Sequence, residues 1–263
     1  MSNIRYGPRS KESIRNRELE ATGRETWSDS LEAVYETDPD VIAAVLPPPL
    51  KPGPEPLVRL NISTVTMPGD LIFGAGWFGV QACHDDVLGE YPLLMPMTTE
   101  QATVGGRETF GEPKKIAEIK AEREGNEIHS TVKRLGFTVA EIKGEIIGER
   151  DPVSNERIDF YFKLLPSPEG PTKLDGDPFI VHSKKSSRER KAEVVEGEVI
   201  LGDSPLDPLS DLPVKKLVSI NLSQRATVVS ARTVGTVPAE NLIPFVHQRY
   251  DDLSVLGNKD DDE

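Results

Sequence analysis

Apolar and polar residues alternate over many short runs of this chain instead of recurring every third or fourth position, which predicts half-buried strands before it predicts helices. Residues 57–67 alternate with Val58, Leu60, Ile62 and Val65 as the inward set. Residues 71–84 form a second strand region, broken by Gly74, Gly76 and Gly79, which marks bulges or the close approach of other backbone. Residues 91–97 are a short apolar strand, and 115–123, 127–134, 138–147 and 157–165 follow as successive strands. Within 138–147 the spacing of Val139, Ile142 and Ile146 breaks strict period two, so a bulge is expected there. Residues 179–182, 192–201 and 227–234 add three more strands, with 183–191 as a basic, solvated loop between two of them.

Helical signals are few. Asp38-Pro39-Asp40 is a helix start, with Asp38 as N-cap and Pro39 in the first helical position, and Pro47-Pro48-Pro49 ends it. Thr98 with Gln101 matches a capping box, so a helix is expected over 98–109, weakened by Gly105-Gly106, which let another element pack closely. Residues 238–250 have a late helical pattern with Pro244 inside it, which predicts a kink or two short turns. The sum is an α+β chain, mainly antiparallel β. Because unpaired edges must be closed or covered, the expected architecture is a closed or cone-like β-barrel with few helices. Residues 1–34 lack apolar periodicity and are expected to form an N-terminal arm anchored by Trp27; 35–257 form a single domain; 258–263 are a disordered acidic tail.

Composition narrows the function classes. The 263 residues carry 44 acidic and 31 basic side chains, a net charge of -13, which disfavours nucleic acid and anionic membrane as partners. Cys83 is the single cysteine, so no intrachain disulfide is possible and a cytoplasmic setting is expected. Its neighbour His84 does not make it a site, because adjacent strand residues face opposite ways. The histidines are scattered, no metal site is expected, and Gly105-Gly106 lacks the context of a phosphate loop. No apolar run is long enough to span a membrane.

The stretch that stands out is Gly105-Gly106-Arg107-Glu108-Thr109-Phe110-Gly111-Glu112-Pro113-Lys114-Lys115. Pro113 fixes its own φ and keeps Glu112 out of the helical region, so the chain leaving the helix is stiff and aims the lysines. A solvated lysine pair is the plain reading of the two residues alone. The chemical reading is an amine nucleophile with a cationic neighbour. A free lysine, with a pKa of about 10.4, needs roughly 4 to 5 kcal/mol of bias against its ammonium form to react near neutral pH. Desolvation can supply most of that, whereas a second charge about 4 Å away supplies about 1 kcal/mol in water and about 4 at an effective dielectric of 20. An apolar pocket is therefore expected around Lys114, with Leu60, Phe73, Trp77, Phe78 and Phe110 as candidate walls.

Four blocks in order carry a family likeness: Val34-Tyr35-Glu36-Thr37-Asp38, Glu55-Pro56-Leu57-Val58-Arg59, the Gly-Arg-Glu…Pro-Lys-Lys block, and PLSDLPVKKLVS at 208–219. On these the chain resembles the acetoacetate decarboxylase family, in which activation of a lysine by an adjacent cation is an established precedent. The resemblance implies that Lys114 forms an imine with substrate and that Lys115 helps to keep it in the free-base form, both as catalytic residues. Arg59, Arg107 and Glu108 of the family blocks, with Phe73 and Trp77 of the expected pocket, are the candidate substrate contacts; the resemblance implies a small keto acid as substrate and a homo-oligomer, and no cofactor is expected. The chain departs from the family pattern at three places: the assisting glutamate falls at Ala75 or Gly76, the N-terminal arginine near Ser28 with Arg24 the nearest substitute, and a second carboxylate at Asn61. The expected function is a Schiff-base lyase decarboxylating a 3-oxo acid. An aldolase or dehydratase using the same imine, and a noncatalytic ligand-binding barrel, are the alternatives.

Overall fold

The computed structural model describes residues 4–10, 26–67, 71–170 and 172–256. Strands β1 (Thr26–Glu36), β2 (Lys51–Pro52), β3 (Leu57–Met67), β4 (Leu71–His84) and β5 (Val87–Met97) precede β6 (Lys114–Ile116), β7 (Glu118–Glu124), β8 (Glu127–Arg134) and β9 (Phe137–Glu149). β10 (Ser154–Lys163), β11 (Phe179–Leu201) and β12 (Lys216–Thr236) follow. The helices are α1 (Pro39–Val45), α2 (Glu100–Phe110) and the single turn α3 (Ala239–Leu242), which runs into a 3-10 segment at Ile243–Gln248. Strand order is β10-β5-β4-β3-β1-β12-β11-β9-β8-β7, and β10 also pairs with β11, so seven strands bond in a ring from which β9, β8 and β7 extend. Pairing is antiparallel except between β5 and β10 and between β5 and β6.

The strands of the ring present two faces with different contents. Leu31, Ala33 and Tyr35 of β1, Val58, Leu60 and Ile62 of β3, and Phe78, Val80 and Ala82 of β4 point to the main hydrophobic core. The alternate residues of β4 point the other way and meet α2, where Trp77, Met95, Met97, Ala102, Tyr161 and Val181 form a second, smaller core. That division follows from the two-residue period of strand side chains.

Two expectations are corrected. Residues 26–34 belong to β1, paired along its whole length with β3 and β12, and not to an arm. Their polar residues Ser28 and Ser30 occupy the strand's second face, so the strand lacked the one-sided polarity that marks surface alternation. Likewise residues 183–191 are the middle of the 23-residue β11, paired with β10 on one side and β12 on the other, and not a solvated loop. The expected bulge in β9 is present: Val132 and Lys133 pair with Ala140 and Thr138, skipping Val139. Residues 11–25, including Arg24, and the tail at 258–263 lie outside the described residues.

Candidate active site

The local geometry of the site begins at the end of α2. Thr99, not Thr98, caps this helix by accepting from the Ala102 N–H, while Thr98 Oγ1 accepts from the Gly74 N–H of β4 at 2.9 Å. At the other end Gly111 adopts φ 84° and its N–H donates to Arg107 O, the single bond of an αL cap, and the Glu112 N–H donates to Gly106 O. Gly111 is required there twice over, by its left-handed φ and because an added Cβ would strike the backbone of Phe162 and Lys163. The chain then turns tightly, with the Lys114 N–H donating to Glu112 O at 2.8 Å, and joins β5 as the short parallel strand β6. Arg249 ties this turn down, donating to Gly111 O, Glu112 O and Arg107 O.

Across this tight turn the side chains of Glu112 and Lys114 come together, and the Lys114 amine lies 2.7 Å from Glu112 Oε2. Lys114 and Glu112 are both buried, at 8% and 5% exposure respectively. Gly106 packs against them so tightly that a Cβ there would overlap the Glu112 carboxylate and the Lys114 amine. Lys114 and Glu112 border a cavity of about 250 Å³ whose walls include Phe73, Trp77, Met95, Met97 and Phe110. Lys185, Arg157 and Arg225 bring positive charge to the same space.

Burial pushes the Glu112 carboxyl up, but the Lys114 and Lys185 ammonium groups outweigh it and hold the acid below the usual carboxylate range. Asp159, fully buried, is lowered in the same way: burial opposes, and Arg157 at 2.9 Å and Lys185 at 3.1 Å prevail. Tyr161 donates to Asp159 Oδ2 at 2.9 Å, and burial together with that carboxylate keeps it a phenol. The arrangement thus offers a sequestered amine, an ionised carboxylate in contact with it, an apolar wall and a cationic wall. Such a set can form and protonate an imine and move a proton at the neighbouring carbon.

The sequence-based site residues separate into groups. Lys114, Phe73 and Trp77 line the cavity, as does Phe110, whereas Leu60 and Phe78 belong to the main core on the opposite face. Lys115 does not join them. Its side chain projects to the other side of β6, where its amine lies 2.9 Å from Asp207 and 3.0 Å from Asp251. Arg59 is held between Glu32 and Glu90, at 2.7 and 2.8 Å, and is not part of the cavity wall. Arg107 donates to Lys114 O at 2.9 Å and to Arg249 O, which fixes the backbone at Lys114, and it is not part of the cavity wall. Glu108 is exposed on the outer side of α2. Glu112, Lys185, Arg157 and Arg225 were missed. Glu112 sits in the quoted block but was weighed only as the residue before a proline.

Comparison with known proteins decides the family. The family model for acetoacetate decarboxylase matches residues 6–236. The chain belongs to the acetoacetate decarboxylase family. It is 26% identical over 196 residues to the acetoacetate decarboxylase of Clostridium botulinum, covering 71% of this chain and 77% of that one. To the acetoacetate decarboxylase of Paraburkholderia phytofirmans it is 39% identical over 87 residues, 32% of this chain and 33% of that one. Among solved structures, an acetoacetate decarboxylase aligns with a TM-score of 0.70 at 22% identity over 87% of this chain and 99% of the other. The enduracididine biosynthesis enzyme MppR complexed with pyruvate aligns with a TM-score of 0.68 at 15% identity, covering 80% and 89%. This acetoacetate decarboxylase family member is an enzyme of the acetoacetate decarboxylase-like lyase type, which removes the reading of a noncatalytic barrel. Ala75, Gly76, Ser28 and Asn61, where the family resemblance places charged groups, all line the cavity without a charge, and the carboxylate at the lysine comes from Glu112 instead.

Proposed function

We propose that this chain decarboxylates a 3-oxo acid through an imine on Lys114. The observation that carries the reading is the contact between the buried Lys114 amine and Glu112 at the edge of a cavity with apolar and cationic walls. In the free-base form the Lys114 nitrogen attacks the ketone carbon, and loss of water gives a protonated imine. Glu112, in hydrogen-bond reach, carries the protons that this exchange releases and returns. The bond to the carboxylate breaks, its electron pair passes into the new carbon–carbon double bond, and the iminium nitrogen becomes neutral as carbon dioxide leaves. Protonation of the enamine carbon and hydrolysis then release the ketone and the amine.

A second reading, aldol or dehydration chemistry on the same imine, is favoured by one feature. Decarboxylation generates its electron pair from the departing carboxylate, but aldol chemistry requires a base to take a proton beside the imine, and Glu112 is an ionised carboxylate at that place. The similarity to MppR complexed with pyruvate agrees with this reading at the level of the fold.

Borohydride reduction of the enzyme saturated with acetoacetate or a longer 3-oxo acid should add the ligand's mass at Lys114. An unmodified Lys114 under those conditions overturns both readings. Released carbon dioxide selects the first and a new aldehyde or enone the second. The same reading takes the enzyme as a cytoplasmic homo-oligomer, which light scattering on the purified chain checks for the assembly state. No helix among the described residues is long and apolar enough to cross a membrane.

A further inference from the structure

The cationic wall of the cavity is one end of an ordered chain of charges. Glu112 lies between Lys114 at 2.7 Å and Lys185 at 4.0 Å. Asp159 lies between Lys185 at 3.1 Å and Arg157 at 2.9 Å. Glu90 lies between Arg157 at 3.5 Å and Arg59 at 2.8 Å, and Glu32 between Arg59 at 2.7 Å and Arg225 at 3.0 Å. Each of these four carboxylates thus bridges two cations, and Lys185, Arg157 and Arg59 in the interior of the chain each meet two carboxylates. Lys114 and Arg225, the two ends, meet one each within it, and both ends line the same cavity. Among the described residues, five cations of this chain face four carboxylates.

We infer that Arg225 is the anchor for an anionic group, a carboxylate, carried by the ligand at a distance from the carbonyl that meets Lys114. The inference rests on the imine reading above and names what its substrate must carry. With Lys114 as a free amine the charge chain is four against four. Formation of a protonated imine restores a fifth cation, and a carboxylate supplied by the ligand restores neutrality among groups that are partly withdrawn from solvent. Arg225 is where that carboxylate fits. Its guanidinium shares its one bridging carboxylate with Arg59, and burial together with repulsion from Arg157 and Arg59 leaves its cationic form less favoured than usual despite Glu32. An added anion relieves that imbalance. Directly across the β1–β12 pair stands Ser28, a short side chain that leaves the space in front of Arg225 open, and Thr227 and Ser63 add hydroxyls to the same wall. The planar fork of arginine suits a carboxylate held by two parallel hydrogen bonds.

The test compares ligands of one length that differ in charge. The wild-type enzyme is incubated with 5-oxohexanoate or hexan-2-one and cyanoborohydride, and the rate of mass addition at Lys114 is measured; Arg225→Gln is treated identically. The wild type should label at least about tenfold faster with the oxo acid than with the neutral ketone, the factor that about 1.4 kcal/mol gives. Arg225→Gln should lose that preference, the ratio of the two labelling rates falling to about one whatever their absolute size. A preference that survives in Arg225→Gln, or one absent from the wild type while both ketones label Lys114, overturns the anchor and leaves the imine standing. If neither compound labels wild-type Lys114, the imine reading falls and the anchor falls with it. Removing Arg225 leaves Glu32 paired with Arg59 and the remaining charges balanced, so the variant should fold; Arg225→Met, similar in length and apolar, repeats the test if the glutamine variant does not.

Discussion

Lys114 and Lys115 are adjacent, almost equally buried, and both in contact with carboxylates, yet they occupy opposite kinds of surroundings. Lys115 sits in a closed box: Asp207 and Asp251 each contact both Lys115 and Arg134, two anions against two cations. Lys114 meets one carboxylate and borders a cavity. Burial and residue type are therefore poor guides to which lysine reacts. What separates them is whether the charges around the amine are already matched and whether space adjoins it. The alternation of side chains along β6 produces the difference, because it sends neighbouring residues to opposite faces of one short strand.

The comparison breaks at once if Lys114→Met still forms a reducible adduct. The expected result is complete loss of labelling with a folded protein, since Glu112 keeps Lys185 as a partner. Glu112→Gln should come next in size. It removes a proton carrier and not the nucleophile, so deuterium exchange at the carbon beside the ketone, followed by NMR in heavy water, should slow by about 10² to 10⁴-fold. Exchange at the wild-type rate would exclude Glu112 from the proton transfer. Lys115→Met should do the reverse of Lys114→Met: it removes one partner of a buried ion cluster, which costs about 3 to 5 kcal/mol of stability, while labelling of Lys114 in the folded fraction persists. Denaturant unfolding and adduct mass on the same samples read both effects. Equal loss of labelling in the two lysine variants would mean that Lys115 acts on the chemistry after all.

The same contrast explains what was legible in the sequence. The spans of β3, β4 and β8 could be read because their alternation was clear, and the two short turns after Pro238 could be read from Pro244. β1 and the centre of β11 could not, because their polar residues line a cavity or join buried ion pairs, so polarity signalled an arm and a loop where the chain is central sheet. Lys185 was lost with that loop, although it is the second cation beside Glu112, after Lys114. Lys114 was readable from local chemistry and family blocks together. The role given to Lys115 came from the family resemblance, whereas the structure sends its side chain to the opposite face of β6, against Asp207 and Asp251.

Acid denaturation offers the smallest and most specific test of the contrast. Glu112, Asp159, Glu32 and Asp251 are all buried against the charged form yet held below their ordinary range by neighbouring cations, Glu32 at about 2. A folded-state pKa below the unfolded one contributes stability that is present above the unfolded value and lost as pH falls through the folded one. Wild-type stability should therefore be flat near neutrality and decline from about pH 4.5 downward, towards the low value held by Glu32. For Glu112 the strongest lowering influence is Lys114, and for Asp251 the influences are Arg134 and Lys115. Lys114→Met should thus move part of the acid decline to higher pH through Glu112, because burial then acts against fewer cations. Adding Glu112→Gln to Lys114→Met should abolish that movement. In Lys115→Met the movement should come through Asp251 and persist when Glu112→Gln is added. Equilibrium unfolding between pH 3 and 7 for the two single and two double variants separates the regions; one common curve for all four would show that the amines share a single electrostatic environment.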